Sequence, residues 1–244
     1  MSNTVRLELE YDGGGFRGWA KQPGLRTVQG ELETGLETVL RKPVELTVAG
    51  RTDTGVHALG QVASFETDVE VAGDLARSLN GVGPDDVGVT SAAVAADGFN
   101  ARHDAKSRTY LYRVLARPSP SPFEQGRALF WPHKLDRDAL AACAESILGT
   151  HDFTAFTPTQ TDHVRFERNV LAASWTFDHD LASFHITADA FMRNMVRVLV
   201  GTQLEVARDR RTLDSFTKLL AGAPRSAAGD TAPPHGLYLE SVSY

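Results

Sequence analysis

Cysteine is almost missing from this chain: Cys143 is the only one in 244 residues. A lone thiol excludes an internal disulfide and any cysteine-built zinc cluster, and it fits a reducing compartment such as the cytoplasm. Lysine is nearly as scarce, with 5 among the 25 basic residues against 20 arginines. No run of apolar residues reaches the length of a membrane span, so no membrane association is expected. The first residues, MSNTVRLELEYDG, lack the basic region and apolar stretch of a signal peptide. No glycine-rich loop is followed by Lys-Ser/Thr, and no Gly-x-Ser-x-Gly elbow occurs, which removes the usual signals for a phosphate-cradling loop and a serine hydrolase. The eight histidines are scattered without metal-ligand spacing. The formal charge of −6 counts against a generally basic nucleic-acid binder. The arginine bias counts the other way, because a planar guanidinium grips phosphate in a bidentate fork and stacks on bases, although biased genomic composition would leave the same trace.

What is present is periodic. In TVRLELEYD, Val5, Leu7, Leu9 and Tyr11 alternate as in a half-buried strand. In TVQGELETGLETVLR, Thr27 stands as an N-cap before Val28, Leu32, Leu36, Val39 and Leu40 at helical spacing. VELTVAG and QVASFET read as strands, DLARSLNGV as a short helix ended by Gly81, and VGVTSAAVA as another strand. The order strand, helix, strand, strand, helix, strand is the ferredoxin-like arrangement. The second half repeats it with longer insertions. RTYLYRVLA is a strand with Tyr110 and Tyr112 on one face, and DRDALAACAESILG is a helix ended by Gly149. LAASWTF and ASFHITAD are strands, FMRNMVRVLVGTQLEVA and TLDSFTKLLAG are helices, and LYLESVSY closes the chain as a strand. The expected fold is α+β: two related ferredoxin-like halves, 1–105 and 106–244, with antiparallel or mixed sheets side by side, helices on the outer face and an active-site cleft between the halves.

Four stretches carry candidate chemistry. AGRTDTGVHA at 49–58 puts Asp53 in a turn built by Gly50 and Gly55, with Arg51 two residues before it and His57 four after. Asp53 is either an Asx-turn residue bonded to its own backbone or a catalytic carboxylate at a strand end. Asp53 and His57 lack a third partner for a metal site. YDGGGFRGW at 11–19 is either a mobile glycine turn with Phe16 and Trp19 folded onto the core or a loop that lets backbone approach a ligand. Tyr110 and Tyr112 are either core filler or a platform for a base. Arg193 and Arg197 fall four apart in an apolar helix and so share a face; a buried Arg197 needs a carboxylate, structural or functional.

Together these stretches resemble the tRNA pseudouridine synthase A family. The resemblance runs through YDGGGFRGW, RTVQGELE, AGRTDTGVHA, FNAR, SRTYLY, HDFTAF, AFMRNMVR and GLYL, in the family's order and over nearly the whole chain. It implies isomerisation of uridine to pseudouridine in the anticodon stem-loop of tRNA, at tRNA positions 38, 39 and 40, by a homodimer that uses neither metal nor organic cofactor and no DNA. It also implies that Asp53 is the catalytic aspartate, that Arg51 helps displace the target base, and that Tyr110, or failing it Tyr112, stacks on that base. Arg197 would pair with the aspartate and Leu237 would line the pocket. Two departures stand out: Ala20 replaces the family's glutamine after Gly-Trp, and VARDRRT at 206–212 replaces a Gly-Arg-Gly stretch.

The implied reaction explains the residue types. Moving the glycosidic bond from N1 to C5 transfers no electrons and donates no group, so it needs one ionised carboxylate, as nucleophile or as base. A guanidinium beside that carboxylate keeps it charged in a dry pocket. Extruding a stacked base costs roughly a few kcal/mol, which Arg51 and an aromatic platform offset. Arg17, Lys21, Arg26, Arg77, Arg102, Arg165 and Arg168 are the candidate contacts to the RNA backbone, in a localised basic cleft. Two other classes compete: a non-catalytic RNA-binding protein, and an aspartate-nucleophile hydrolase or phosphotransferase, which would want further acidic residues for magnesium near Asp53.

Overall fold

The computed structural model describes residues 3–71, 73–161 and 164–244, and the chain is α+β. It forms two compact units, Met1–Lys106 together with Tyr238–Tyr244, and Ser107–Leu237. The expected halves, 1–105 and 106–244, put the closing strand in the second. The contacts instead group Tyr238–Tyr244 with the first unit.

In the first unit, strand β1 (Asn3–Tyr11) lies between β3 (His57–Thr67) and β4 (Val87–Val94) and is antiparallel to both. The short β2 (Thr47–Val48) pairs antiparallel with the far end of β3. The closing strand, β10 (Leu237–Ser243), runs parallel to the start of β3, with Tyr238 opposite His57. The alternation in β1 does what its period demands: Val5, Leu7 and Leu9 are fully buried, while Arg6 and Glu8 on the other face pair with each other at 2.8 Å. Helix α1 (Val28–Leu40) begins where the Thr27 hydroxyl accepts from the Gly30 N–H, and it buries Val28, Leu32, Leu36 and Leu40. Helix α2 (Leu75–Val82) runs one turn position past the expected stop at Gly81. It ends at Gly83, whose N–H reaches the Leu79 carbonyl at 2.8 Å.

In the second unit, β5 (Ser107–Leu115) pairs antiparallel with β9 (Leu181–Ala188). β9 pairs in turn with β8 (Glu167–Asp178), and β8 with β7 (Gly149–Asp152). A two-residue β6 (Leu129–Phe130) runs parallel to β5. Helix α3 (Arg137–Ser146) stops three residues before Gly149. That glycine, at φ +91°, opens β7 rather than capping the helix. Helix α4 (Met195–Ala207) starts four residues later than the apolar pattern implies, because Asn194 sits in the left-handed region at φ +61°. Arg193 therefore lies exposed in the turn ahead of the helix and does not share a helical face with Arg197. The helix α5 (Leu213–Thr217) continues as a 3₁₀ turn, Lys218–Leu220. The core of this unit gathers Tyr112, Phe184, Ile186, Leu140, Ile147, Phe153, Phe156 and Phe216, all fully buried. Trp175 stacks on Phe184 and donates its indole N–H to Gln203 at 2.8 Å.

Candidate active site

In the first unit, the stretch Gly50–Val56 links β2 to β3 without regular secondary structure. Such a segment has no ladder to hold it, so its backbone groups must find partners elsewhere. They find them in two places. Gln61, fully buried inside β3, donates from Nε2 to the Gly50 carbonyl at 2.8 Å. The Trp19 N–H donates to the Thr52 carbonyl at 3.0 Å, and the Thr52 hydroxyl lies 2.8 Å from the Tyr11 hydroxyl. The segment then closes on itself, with the Val56 N–H donating to the Asp53 carbonyl at 3.1 Å and Gly55 at φ +78°.

The glycine loop after β1 is built against this segment. Gly13–Gly15 is a 3₁₀ turn capped by the Asp12 carboxylate, which accepts from the Gly14 N–H. A Cβ on Gly13 would run into the Val56 carbonyl oxygen. Gly18, at φ +90°, leaves room for the Thr52–Thr54 backbone: a Cβ there would sit 2.9 Å from the Thr52 carbonyl oxygen and 3.4 Å from the Asp53 carbonyl carbon. Phe16 and Trp19 fold onto the core as aromatic anchors, and Arg17 between them is exposed.

On this scaffold Asp53 is half-buried. Within its own unit its carboxylate has no hydrogen-bond or ion-pair partner among the described residues, so the Asx turn is not made. Arg51 is exposed, likewise without a partner in its unit among the described residues. It opens onto a groove of ≈ 700 Å³ lined also by Ala20, Lys21, Gln29, Glu33, Pro43, Val44 and Glu45; Asp53 is not part of that lining. His57 is buried. Its ring stacks on Tyr238 with centroids 4.6 Å apart, and its Nδ1 accepts from the Gly13 N–H at 3.0 Å with an Asp12 oxygen at 3.1 Å. It supports the loop.

In the second unit, the two tyrosines of β5 part company. Tyr112 is fully enclosed, donates its hydroxyl to the Pro233 carbonyl at 2.8 Å, and lies where a Cβ on Gly236 would come within 2.7 Å of its ring. Burial raises its pKa despite the Arg197 charge. Tyr110 keeps 9% of its surface accessible and meets Phe191 edge-on at 5.0 Å. Arg197 is half-buried on α4. Its Nε donates to the Ala232 carbonyl at 2.7 Å and its Nη1 to Asn194 Oδ1 at 3.0 Å, both uncharged oxygens. The Asn194 side chain aligns this guanidinium instead of capping the helix. Leu237 is buried at the end of the 3₁₀ turn Pro234–Gly236.

The candidate phosphate contacts divide. Lys21 is bound to Glu33 at 2.9 Å, and this hydrogen bond raises its pKa. Arg26 forks onto both oxygens of Asp86 at 2.7 Å and lies over the Phe16 ring. Arg168 turns Nη1 back onto the Arg165 and Glu167 carbonyls, and desolvation lowers its pKa. Arg17, Arg77 and Arg102 are exposed.

Comparison with known proteins decides the family. A family model described as tRNA pseudouridine synthase matches residues 143–244. A tRNA pseudouridine synthase A of Geobacillus sp. is 40% identical over 246 aligned residues, covering 100% of this chain and 99% of its own. The chain belongs to the tRNA pseudouridine synthase A family.

Relatives of the same name from Frankia casuarinae and Bacillus subtilis are 42% and 37% identical, each covering 98% of this chain, with 89% and 98% of their own lengths aligned. Among solved structures, a chain of a Cbf5-Nop10-Gar1 complex aligns over 82% of this chain and 54% of its own, at 11% identity and a TM-score of 0.34, too weak a likeness to argue from. In this family member the sequence pattern singles out the loop that carries Asp53 but not what holds it. By their spacing Tyr11 and Gln61 look like strand residues and Thr52 like a turn residue. A signal for Gln61 was present: a glutamine inside an otherwise apolar strand has to satisfy both ends of its amide.

Proposed function

We propose that this chain isomerises uridine to pseudouridine in the anticodon stem-loop of tRNA, at positions 38, 39 and 40, with Asp53 as its single catalytic carboxylate. The observation that carries this reading is the state of Asp53. A carboxylate is held half-buried on a loop anchored through its backbone, with its own oxygens left without a partner among the described residues of that unit. An aspartate serving only the turn would bond to it.

The chemistry balances within the substrate. The C1′–N1 bond breaks, the base turns, a C1′–C5 bond forms, C5 loses its proton and N1 gains one. Asp53 acts as nucleophile or as base. Arg51, exposed and uncommitted among the described residues of its unit, is the group that fills the space left by the extruded base. Tyr110 is the stacking tyrosine, because it keeps 9% of its surface accessible whereas the Tyr112 ring is fully enclosed. Arg197, oriented by Asn194 and Ala232, is the arginine that pairs with the aspartate in this reading, and Leu237 lines the base pocket. Arg17 and Arg77, both exposed, are favoured as RNA contacts over Lys21, Arg26 and Arg168, which are already engaged inside the protein. The active species in this reading is a cytoplasmic homodimer.

The test is tritium release from tRNA labelled at uridine C5. The chain releases tritium and Asp53→Asn does not. Release by the variant at the wild-type rate sinks the role of Asp53; binding without release favours a non-catalytic RNA-binding protein; and release mapped outside positions 38–40 removes the site assignment.

A further inference from the structure

Among the described residues of its unit Asp53 has no side-chain partner, so the position of its carboxylate is inherited from its backbone. That backbone hangs on a short polar chain in the interior. Gln61 Nε2 donates to the Gly50 carbonyl at 2.8 Å and also lies 3.2 Å from the Tyr11 hydroxyl. The Tyr11 hydroxyl lies 2.8 Å from Thr52 Oγ1. Gln61 Oε1 accepts from the Val62 N–H at 3.2 Å, which fixes which end of the amide faces the loop. Tyr11 and Gln61 stand on neighbouring strands, where the β1–β3 pairing shifts register between Leu9 and Tyr11. The Tyr11 hydroxyl accepts from Gln61, and either hydroxyl can donate in its bond to Thr52. Burial lifts the phenol to about 12, so it stays protonated.

A buried polar network is an expensive way to fill a core, since apolar groups of the same shape serve stability as well. What it supplies instead is a fixed geometry for the peptide it grips. We infer that Tyr11 and Gln61 are positioning residues, which act through the Thr52 hydroxyl and the Gly50 carbonyl to set where the Asp53 carboxylate stands. The inference rests on the reading of Asp53 as the catalytic carboxylate.

The test measures kcat and KM for tritium release by the full-length chain and by Tyr11→Phe, Thr52→Val, Thr52→Ser and Asp53→Asn. Thr52→Val keeps the shape and removes the oxygen, whereas Thr52→Ser keeps the oxygen. Tyr11→Phe and Thr52→Val each lower kcat about tenfold and leave KM within about twofold, because a displaced catalytic group costs rate rather than binding. Thr52→Ser restores kcat to within about twofold, and Tyr11→Phe combined with Thr52→Val is no slower than the slower single variant, as expected for two halves of one interaction. A wild-type kcat in folded Tyr11→Phe and Thr52→Val overturns the inference. So does a loss confined to KM, or a Thr52→Ser variant as slow as Thr52→Val. If Tyr11→Phe does not fold, the valine and serine variants at position 52 decide alone. An active Asp53→Asn means that the catalytic reading has failed. A silent Asp53→Asn beside unimpaired Tyr11→Phe and Thr52→Val means that only the positioning inference has.

Discussion

The two units hold their candidate catalytic groups by different physics. In the first, Asp53 and Arg51 sit on a segment without secondary structure, and hydrogen bonds from buried polar groups grip its backbone. In the second, Tyr110 and Arg197 sit on a strand and a helix whose place is set by an apolar core of Tyr112, Phe184 and Ile186. A loop offers the exposure a carboxylate needs but must be pinned atom by atom. A strand or helix comes already straight and needs only to be packed. The first arrangement is sensitive to the loss of one oxygen, the second to a change of volume.

The largest effect that would sharpen this contrast is expected from Gly18→Ala. The new Cβ meets backbone, at a φ of +90°, and no side chain can yield to it. Urea unfolding should register a loss of about 2–3 kcal/mol, and tritium release should fall about a hundredfold as the Thr52–Asp53 peptide moves. Its counterpart, Gly236→Ala, meets the Tyr112 ring at 2.7 Å and the Arg113 carbonyl at 2.9 Å. The expected cost is about 1–3 kcal/mol by the same measurement. Adding Tyr112→Leu should recover part of it, because one of the two obstacles is a side chain. If Gly18→Ala were as easily rescued by a neighbouring side-chain change, the contrast would be broken.

Smaller effects probe the hydroxyls. Tyr112→Phe loses the bond to Pro233 and is expected to cost about 1 kcal/mol with kcat unchanged, whereas Tyr110→Ala slows tritium release. A slow Tyr112→Phe with a normal Tyr110→Ala would exchange their roles. The smallest effect concerns Asp86, whose carboxyl the Arg26 guanidinium holds below the usual carboxylate range. A depressed folded-state pKa contributes stability above the unfolded value near 3.9, and this is lost as pH falls through the folded value. Asp86→Asn should therefore be less stable than the unaltered chain by no more than about 1 kcal/mol near pH 7, the pair being partly exposed, and the difference should close below about pH 4. Urea midpoints across that range would measure it.

Much of the fold was legible because its signals are local. The alternation in β1, the Thr27 cap and the spacing of α1 each lie within a few residues of the element they specify. Boundaries were missed where one backbone angle intervened, as at Asn194, which delays α4 and takes Arg193 off its face. The site was legible only in its outline. AGRTDTGVHA advertises a carboxylate among glycines, but which arginines stay free for RNA depends on partners as distant as Arg26 and Asp86, 60 residues apart.

By itself the sequence determined the α+β element order, the loop that carries Asp53 and, through its full-length likeness to relatives, the family, because period, turn chemistry and identity are carried along the chain. Only the tertiary structure decided that Tyr112 is fully enclosed while Tyr110 keeps 9% of its surface accessible, that the closing strand joins the first unit, and that Tyr11 and Gln61 grip the loop. Those outcomes depend on which surfaces and hydrogen-bond donors meet once the chain has folded, and no short-range pattern encodes that meeting.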